Sequence, residues 1–242
     1  MASQIPFSSW LMLFLTLGCL AVIFSGLHTV LKRSGMEKSR QRKYFLLSLL
    51  VVDLWILLLG LLSWNGFFTD FSVLPPRPLL AVLLPLPVML MIAFSKQGTL
   101  LLKLTPPHWL IFIQTFRIAV ELVLWMAFFQ QLLPVQMTFE GRNFDVLSGL
   151  LAFPVGYFCF VKKNQPVRFV LFYNILGLLL LFNILIIAAL SMPTPFRYFM
   201  NEPANTIVAT FPFIYLPGIL VPIAYSFHIF SLRQLWLSKN FR

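Results

Sequence analysis

Three polar side chains recur along one face of an otherwise apolar stretch of the sequence. Gln114, Arg117 and Glu121 are spaced i, i+3 and i+7, so a helix would project all three from the same face. Most of the other residues between positions 114 and 129 are aliphatic or aromatic. Burying a guanidinium and a carboxylate costs several kcal/mol unless they are paired or hydrated. The chain must therefore supply partners for this face.

Other apolar stretches place polar side chains at a similar depth. At about 1.5 Å per residue, Arg117, Glu121 and Asp53 lie roughly 12–18 Å from the predicted inner ends of their helices. We therefore predict one buried charged cluster of these three residues, with Asn174 and Tyr225 as hydrogen-bond neighbours. The complete predicted polar path for a solute comprises Asp53, Gln114, Arg117, Glu121, Asn174, Asn183 and Tyr225.

The charges of this predicted cluster do not balance at neutral pH. Two carboxylates against one guanidinium leave one excess negative charge, which a low-dielectric interior disfavours. One carboxyl group would then have to hold a proton, as in a proton relay or an ion-coupled carrier. The alternative is an ion-pair network that only fixes how the helices pack. The sequence leaves both interpretations open.

Two polar loops are candidates for an external mouth. The stretch from Met137 to Asp145 and the stretch from Met192 to Asn205 each contain charges of both signs. The alternative is that these are ordinary solvated loop residues, and that Asn143 or Asp145 caps the following helix. The predicted mouth residues are Glu140, Arg142, Asn143, Asp145, Arg197, Asn201 and Glu202.

Histidine is the remaining side chain with ligand chemistry. His28, His108 and His228 all fall near predicted inner helix ends, where they could ligate a metal ion or a haem. Histidine is also common at a membrane interface without binding any ligand, so we predict no metal site and no cofactor. No His-Glu-x-x-His, Gly-x-Ser-x-Gly or glycine-rich phosphate-binding motif is present. We predict no catalytic residue, and an intramembrane enzyme or cofactor-binding protein is the third functional interpretation.

The composition determines the environment in which these residues act. Of the 242 residues, 60% are hydrophobic and 10% are charged, whereas soluble domains carry about 25% charged residues. The chain cannot cover a water-exposed surface, so its principal partner is a lipid bilayer. The net charge of +11 resides mainly in short loops, which indicates a topology signal rather than a nucleic-acid partner.

Seven apolar runs follow one another along the chain. They predict an all-α fold, a single bundle of seven transmembrane helices over residues 1–242 with no soluble domain. Runs three and five are short and contain proline, so six spans plus a re-entrant segment is the alternative. The runs cover residues 8–31, 44–64, 78–94, 109–133, 146–161, 169–191 and 207–232.

The last of these runs is rich in proline. Pro212, Pro217 and Pro222 each remove a backbone hydrogen bond from a helix, which predicts a kinked or broken span. The carbonyl groups freed in this way must face protein or water, because lipid offers no donor. The sequence leaves two interpretations of this helix, either a hinge or solute-lining helix or a bent helix that only packs against its neighbours.

Basic residues predict the orientation of the bundle. With seven spans, 14 of the 18 Lys and Arg residues fall on one side, three on the other, and Arg117 inside a span. Loops rich in Lys and Arg stay in the cytoplasm, so the N-terminus is predicted outside and the C-terminus inside. We expect a multi-pass protein of a plasma membrane, specifically a bacterial inner membrane.

One stretch resembles other proteins. The run TFRIAVEL followed by MTFEGRNFD, within about residues 110–150, resembles uncharacterised bacterial multi-pass membrane proteins. That resemblance implies a seven-span membrane protein and no particular activity. The leading prediction from the residues is transport or binding of a small solute or ion through the buried charged layer. The second is a non-catalytic receptor, sensor or assembly partner, in a homo-oligomer or with another membrane protein.

Overall fold

The computed structural model describes residues 6–238, and every regular element in that range is a helix. Six of these helices are long and apolar enough to cross a membrane. The all-α class is therefore confirmed and the apolar helices fit an integral membrane protein, while the number of crossings and their orientation remain predictions. The six helices are α1 (Phe7–Arg33), α2 (Lys38–Trp64), α3 (Arg77–Phe94), α5 (Pro107–Phe129), α7 (Arg168–Leu190) and α8 (Leu216–Leu237).

Besides single-turn 3₁₀ segments, two shorter helices complete the regular structure of the described residues. α4 (Lys96–Leu104) occupies a segment predicted to be a loop, and the Ser95 hydroxyl caps it by accepting from the Gly98 N–H at 2.9 Å. α6 (Val146–Val161) matches the fifth predicted run in its bounds. It has eleven α-helical residues followed by a five-residue π-helical turn. At about 1.5 Å per residue, α6 is shorter than the roughly 30 Å hydrocarbon core of a bilayer.

The last predicted span begins later in the structure than in the sequence prediction. Residues 207–232 were predicted as one helix, but α8 runs from Leu216 to Leu237. Pro212 and Pro217 cannot donate the amide hydrogen bonds that an earlier start would require. The residues before α8 therefore form turns and one short 3₁₀ segment.

At the predicted break in this helix, a side chain of α2 donates a hydrogen bond to a backbone carbonyl. Pro222 lacks the N–H that would reach the Gly218 carbonyl one turn earlier. The Trp55 indole Nε1 donates to that carbonyl at 2.8 Å. The freed carbonyl thus faces protein, as expected, and the contact fixes one face of α2 against the start of α8.

α8 is the central helix of the bundle and α2 is the peripheral one. In the most apolar 18-residue stretch of each helix, 67% of α8 is buried but only 6% of α2. The main hydrophobic core surrounds the start of α8, where Phe213, Ile214 and Leu220 are almost completely enclosed. Most of α2 therefore faces away from the bundle.

The chain returns into the bundle after α5, through residues 130–145, which we call the return segment. Arg117 lies about 18 Å before the end of α5, counted along the helix, and Asp145 forms an ion pair with it. α6 therefore begins near the middle of the bundle. Most of the return segment is non-helical, and its residues Gln136 and Met137 are buried. Irregular backbone is tolerated at membrane depth when protein surrounds it in this way.

The basic loops gather at one end of the bundle, which we call the basic end. Arg33 lies over the Trp109 ring at 5.6 Å, which places the end of α1 beside the start of α5. Near the end of α8, Gln234 donates to a carbonyl of α4 at 2.6 Å. The cytoplasmic location of this end remains a prediction. Two of the residues counted with the basic loops, Lys239 and Arg242, lie outside the described residues.

Candidate functional site: a buried charged cluster

Arg117 is the centre of the candidate site and is 2% exposed. Its Nε and Nη2 groups donate to the two carboxylate oxygens of Asp145, the first at 2.7 Å. Nη1 donates to Ser148 Oγ at 2.7 Å and to His228 Nε2 at 3.0 Å. Nη2 also reaches the Gly177 carbonyl at 3.4 Å. All five guanidinium N–H groups therefore have an acceptor, and the two-point contact with Asp145 is the strongest geometry for such a pair.

A neutral histidine connects the guanidinium to α7. Arg117 can only donate, so His228 Nε2 must accept and the ring proton must lie on Nδ1. Nδ1 then donates to Asn174 Oδ1 at 2.9 Å, and the Asn174 amide donates to Ser231 Oγ at 2.8 Å. His228 and Asn174 are both completely buried. This chain of hydrogen bonds fixes the ring tautomer and links α5, α7 and α8.

Glu121 lies one turn beyond Arg117 on α5 and is 2% exposed. Its Oε1 accepts from Asn143 Nδ2. Asn143 also donates to the Met137 carbonyl at 3.0 Å and accepts from the Asp145 N–H at 3.1 Å. Oε2 of Glu121 has no hydrogen-bond partner among the residues that the structure describes. We call the following residues the buried cluster: Arg117, Glu121, Asn143, Asp145, Ser148, Asn174 and His228.

Two glycines allow the helices to approach each other at the buried cluster. A Cβ atom on Gly177 of α7 would overlap the His228 ring and lie 2.8 Å from Ser148 Oγ. A Cβ atom on Gly149 of α6 would lie 2.8 Å from Ile118 Cγ1. Larger residues at these positions would push α6 and α7 outward. The polar groups that these two helices supply would then be separated from Arg117 and His228.

A cavity of about 20 Å³ adjoins the pair formed by Arg117 and Asp145. Its walls include Val120 of α5 and Leu216 and Leu220 at the start of α8. A volume of this size holds about one water molecule. In the described conformation, the space beside this pair is therefore too small for a solute larger than water.

Four residues of the predicted polar path lie apart from the buried cluster: Asp53, Gln114, Asn183 and Tyr225. Asp53 is exposed on α2, so the prediction that it joins the charged residues is wrong. Gln114 is buried and donates to the Ala224 carbonyl at 2.9 Å. Tyr225 donates to the Val82 carbonyl at 3.2 Å. These two side chains link neighbouring helices, and Asn174 is the predicted hydrogen-bond neighbour that the structure does bring to the cluster.

The first predicted mouth loop divides between the surface and the buried cluster. Asn143 and Asp145 are 0% and 7% exposed, so their assignment to an external mouth is wrong. Arg142 is exposed, and its backbone carbonyl accepts from Asn183 at 3.0 Å, which places Asn183 away from the cluster. Glu140 is also exposed and accepts from a tryptophan of α5 at 2.9 Å.

Arg197 organises the second predicted mouth loop. Its Nη1 pairs with Glu202 at 2.9 Å, and its Nη2 donates to the Asn201 carbonyl at 2.7 Å. Hydrogen bonds from Arg197 and from the Ala204 N–H lower the pKa of Glu202 from its usual value of 4.5. The Asn201 amide donates to Gln136 at 2.7 Å, so this loop closes over the return segment.

The three histidines do not share a site. His228 lies in the buried cluster, whereas His28 is exposed and lines a pocket of about 160 Å³ between α1 and α2. His108 lies edge-on to Phe112, with the ring centroids 5.5 Å apart. Within residues 6–238, no group of three or more His, Cys, Asp or Glu side chains could hold a metal ion. The interpretation in which all three histidines ligate one metal ion therefore fails.

Sequence reasoning missed the second carboxylate of the buried cluster and its histidine. The fifth apolar run is too short to cross a membrane, so its helix must begin or end within the membrane. This shortness was the signal that Asp145, which directly precedes the run, could be buried. His228 gave no such signal, since its distance from the predicted inner helix end is equally typical of an interfacial histidine.

A family described as Domain of unknown function (DUF8737) matches residues 77–236. The match covers more than half of the 242 residues, so the chain belongs to the DUF8737 family. No curated protein and no solved structure matches the chain. Every residue of the buried cluster lies inside the matched region, whereas α1 and α2 precede it.

Proposed function

We propose that this membrane protein takes up and releases a proton at Glu121 and couples that step to the movement of a small solute or ion. The observation that supports this most is the unpartnered carboxyl oxygen. Glu121 is buried, and its Oε2 has no hydrogen-bond partner among residues 6–238. A carboxylate in such a position is costly unless a cation binds it.

The charge balance of the buried cluster points to the same residue. Arg117 and Asp145 neutralise each other, and the N–H groups of Arg117 are directed at acceptors other than Glu121. Glu121 is therefore the source of the one excess negative charge. A proton is the cation that fits, because a metal ion needs several oxygen ligands and no group of three or more His, Cys, Asp or Glu side chains within residues 6–238 could hold one.

Discontinuous helices at the buried cluster provide the parts that would move. The return segment leads into α6 at cluster depth, and the π-helical turn Leu216–Leu220 lines the adjoining cavity. Broken helices whose ends meet near the middle of the membrane are typical of transporters. In this proposal the return segment and α6 together make the seventh crossing, with the N-terminus outside.

A non-catalytic receptor, sensor or assembly partner is the second candidate function. The satisfied donors of Arg117 and the small volume of the cavity favour it, because a cluster that only fixes helix packing needs no access to water. The two candidates differ in whether water reaches the buried cluster during the working cycle.

Thiol labelling distinguishes the two candidates. Cys19 and Cys159 are first replaced with alanine, and Val120→Cys then introduces a thiol on the cavity wall while leaving Glu121 in place. Leu122→Cys is the matched control, since Leu122 lies at a similar depth but is 52% exposed on the outside of the bundle. Both variants are treated with a charged, membrane-impermeant thiol reagent after a folding check.

Labelling at position 120 but not at 122 is the result expected of a protein that opens to water. If the folded Val120→Cys variant stays unlabelled from both sides of the membrane, the carrier proposal fails and the packing role is supported. Labelling of the Leu122→Cys control would show that the reagent enters lipid and would require a more polar reagent.

A further inference from the structure

Asp53 is a carboxylate at mid-membrane depth on a helix that the rest of the bundle barely covers. It lies about 15 Å along α2 from Lys43, which is half the thickness of a hydrocarbon core of roughly 30 Å. Its side chain is exposed on the outer part of the bundle. A carboxylate facing lipid at this depth is costly, so such residues normally pair with another charged or polar group.

The residues that the structure describes offer Asp53 no such partner. Within residues 6–238, the three ion pairs involve other carboxylates. Arg117 is the basic side chain in the interior of a described span, and its N–H groups are already engaged in the buried cluster. A second copy of the chain would bring the same engaged arginine and another Asp53, so it would add negative charge instead of compensating it.

The residues around Asp53 form a stripe suited to a second helix. Leu46, Leu50, Asp53 and Leu57 follow one another at spacings of four, three and four residues. This is the spacing of a helix–helix seam, in which one face meets a neighbouring helix over several turns. The three leucines are 48%, 55% and 60% exposed, so the stripe is open along its length.

We propose that this stripe docks a transmembrane helix of another protein that carries a lysine or arginine at mid-membrane depth. The leucines supply apolar contact, and the cation compensates the carboxylate of Asp53 where lipid cannot. The stripe lies outside the region matched by the DUF8737 family, so it is separate from the buried cluster. The inference therefore does not depend on proton binding at Glu121.

Model peptides test this docking surface directly. The full-length protein is labelled with a donor fluorophore and reconstituted in vesicles. Apolar transmembrane peptides that carry an acceptor and have lysine, leucine or aspartate at the central position are then added. The same titrations are repeated with Asp53→Leu, a change on an exposed face that leaves the core intact.

The lysine peptide should bind the wild-type protein about tenfold more tightly than the leucine peptide, which is the scale of a polar contact between membrane helices. The aspartate peptide should show no gain, and Asp53→Leu should remove the preference for lysine. Equal binding of the lysine and leucine peptides would overturn the proposal, as would a lysine preference that survives in Asp53→Leu. Self-association that depends on Asp53 without a lysine preference would point to a second copy and would also overturn it.

Discussion

At the scale of single residues, the buried cluster contains two carboxylates with different surroundings. Asp145 meets Arg117 through both of its oxygens, whereas Glu121 uses one oxygen toward Asn143 and leaves the other unpartnered among the described residues. The carboxylate of Asp145 compensates the buried guanidinium of Arg117, whereas the carboxylate of Glu121 is an uncompensated negative charge. Replacing each with its amide should therefore destabilise the protein to very different extents.

Asp145→Asn should destabilise the protein by about 3–5 kcal/mol, because it leaves the buried guanidinium of Arg117 without its counter-charge. Glu121→Gln should cost less than about 1 kcal/mol, since the amide keeps the shape and removes an uncompensated charge. Denaturant unfolding in a mild detergent measures both variants against wild type. Equal losses for the two variants would contradict this division of roles.

A second prediction at this scale concerns the space that Gly177 leaves for His228. Gly177→Ala should destabilise the protein by about 1–3 kcal/mol, because the added methyl group overlaps the imidazole ring and no empty space receives it. Gly18→Ala is the matched control, since no heavy atom lies within 4 Å of its added Cβ. The control should be neutral or slightly stabilising in thermal unfolding, and a loss as large as that of Gly177→Ala would count against the packing argument.

At the scale of helices, apolar runs predicted most of the elements, and proline and the return segment account for the errors. α1, α6 and α7 begin and end within a few residues of the predicted runs, because uninterrupted apolar stretches favour helix in a membrane. The return segment carries no helical periodicity, so the sequence did not show that it brings Asn143 and Asp145 to α5. The presence of a buried charged cluster was predictable from Arg117 and Glu121, whereas the identity of its second carboxylate depended on that non-helical path.

The bond between Trp55 and the broken start of α8 gives a prediction at this scale. Trp55→Phe removes the donor to the Gly218 carbonyl, which Pro222 leaves without its helical partner. The cost should be about 1–3 kcal/mol, the range for a buried polar group that loses its hydrogen bond. Trp10→Phe, at a residue that is 45% exposed, is the control and should change the unfolding free energy by less than about 0.5 kcal/mol. An equally small effect at Trp55 would show that the carbonyl finds another donor.

At the scale of the whole molecule, the composition was sufficient to predict a helical membrane protein but not which helix is central. Over the most apolar 18-residue stretch of each helix, α2 has the highest mean hydropathy of the six long helices, 2.7, and α8 has the lowest, 1.2. This order is what a bilayer favours, because the helix most exposed to lipid must be the most apolar and the central helix can carry polar contacts. The same reasoning makes Asp53 on α2 an exception that calls for a partner.

The proposed seven-crossing topology predicts which loops lie on each side of the membrane. In a background without native cysteines, Glu140→Cys and Thr194→Cys should react with an impermeant thiol reagent on intact cells, and Ser39→Cys and Asn164→Cys should react only after lysis. The return segment and α6 would then carry the chain from one side to the other. Reaction of positions 140 and 164 from the same side would show that α6 does not complete a crossing.

The most direct test of the central proposal is whether Glu121 holds a proton that exchanges with water. Infrared difference spectra of the purified protein, recorded between acidic and alkaline buffers, report the carbonyl stretch of a protonated carboxyl group. We predict a band of this kind that changes with buffer pH, disappears in Glu121→Gln and persists in Asp53→Asn. A spectrum without such a band, or a band unchanged in a folded Glu121→Gln protein, would contradict proton uptake at Glu121 and leave the buried cluster with a packing role.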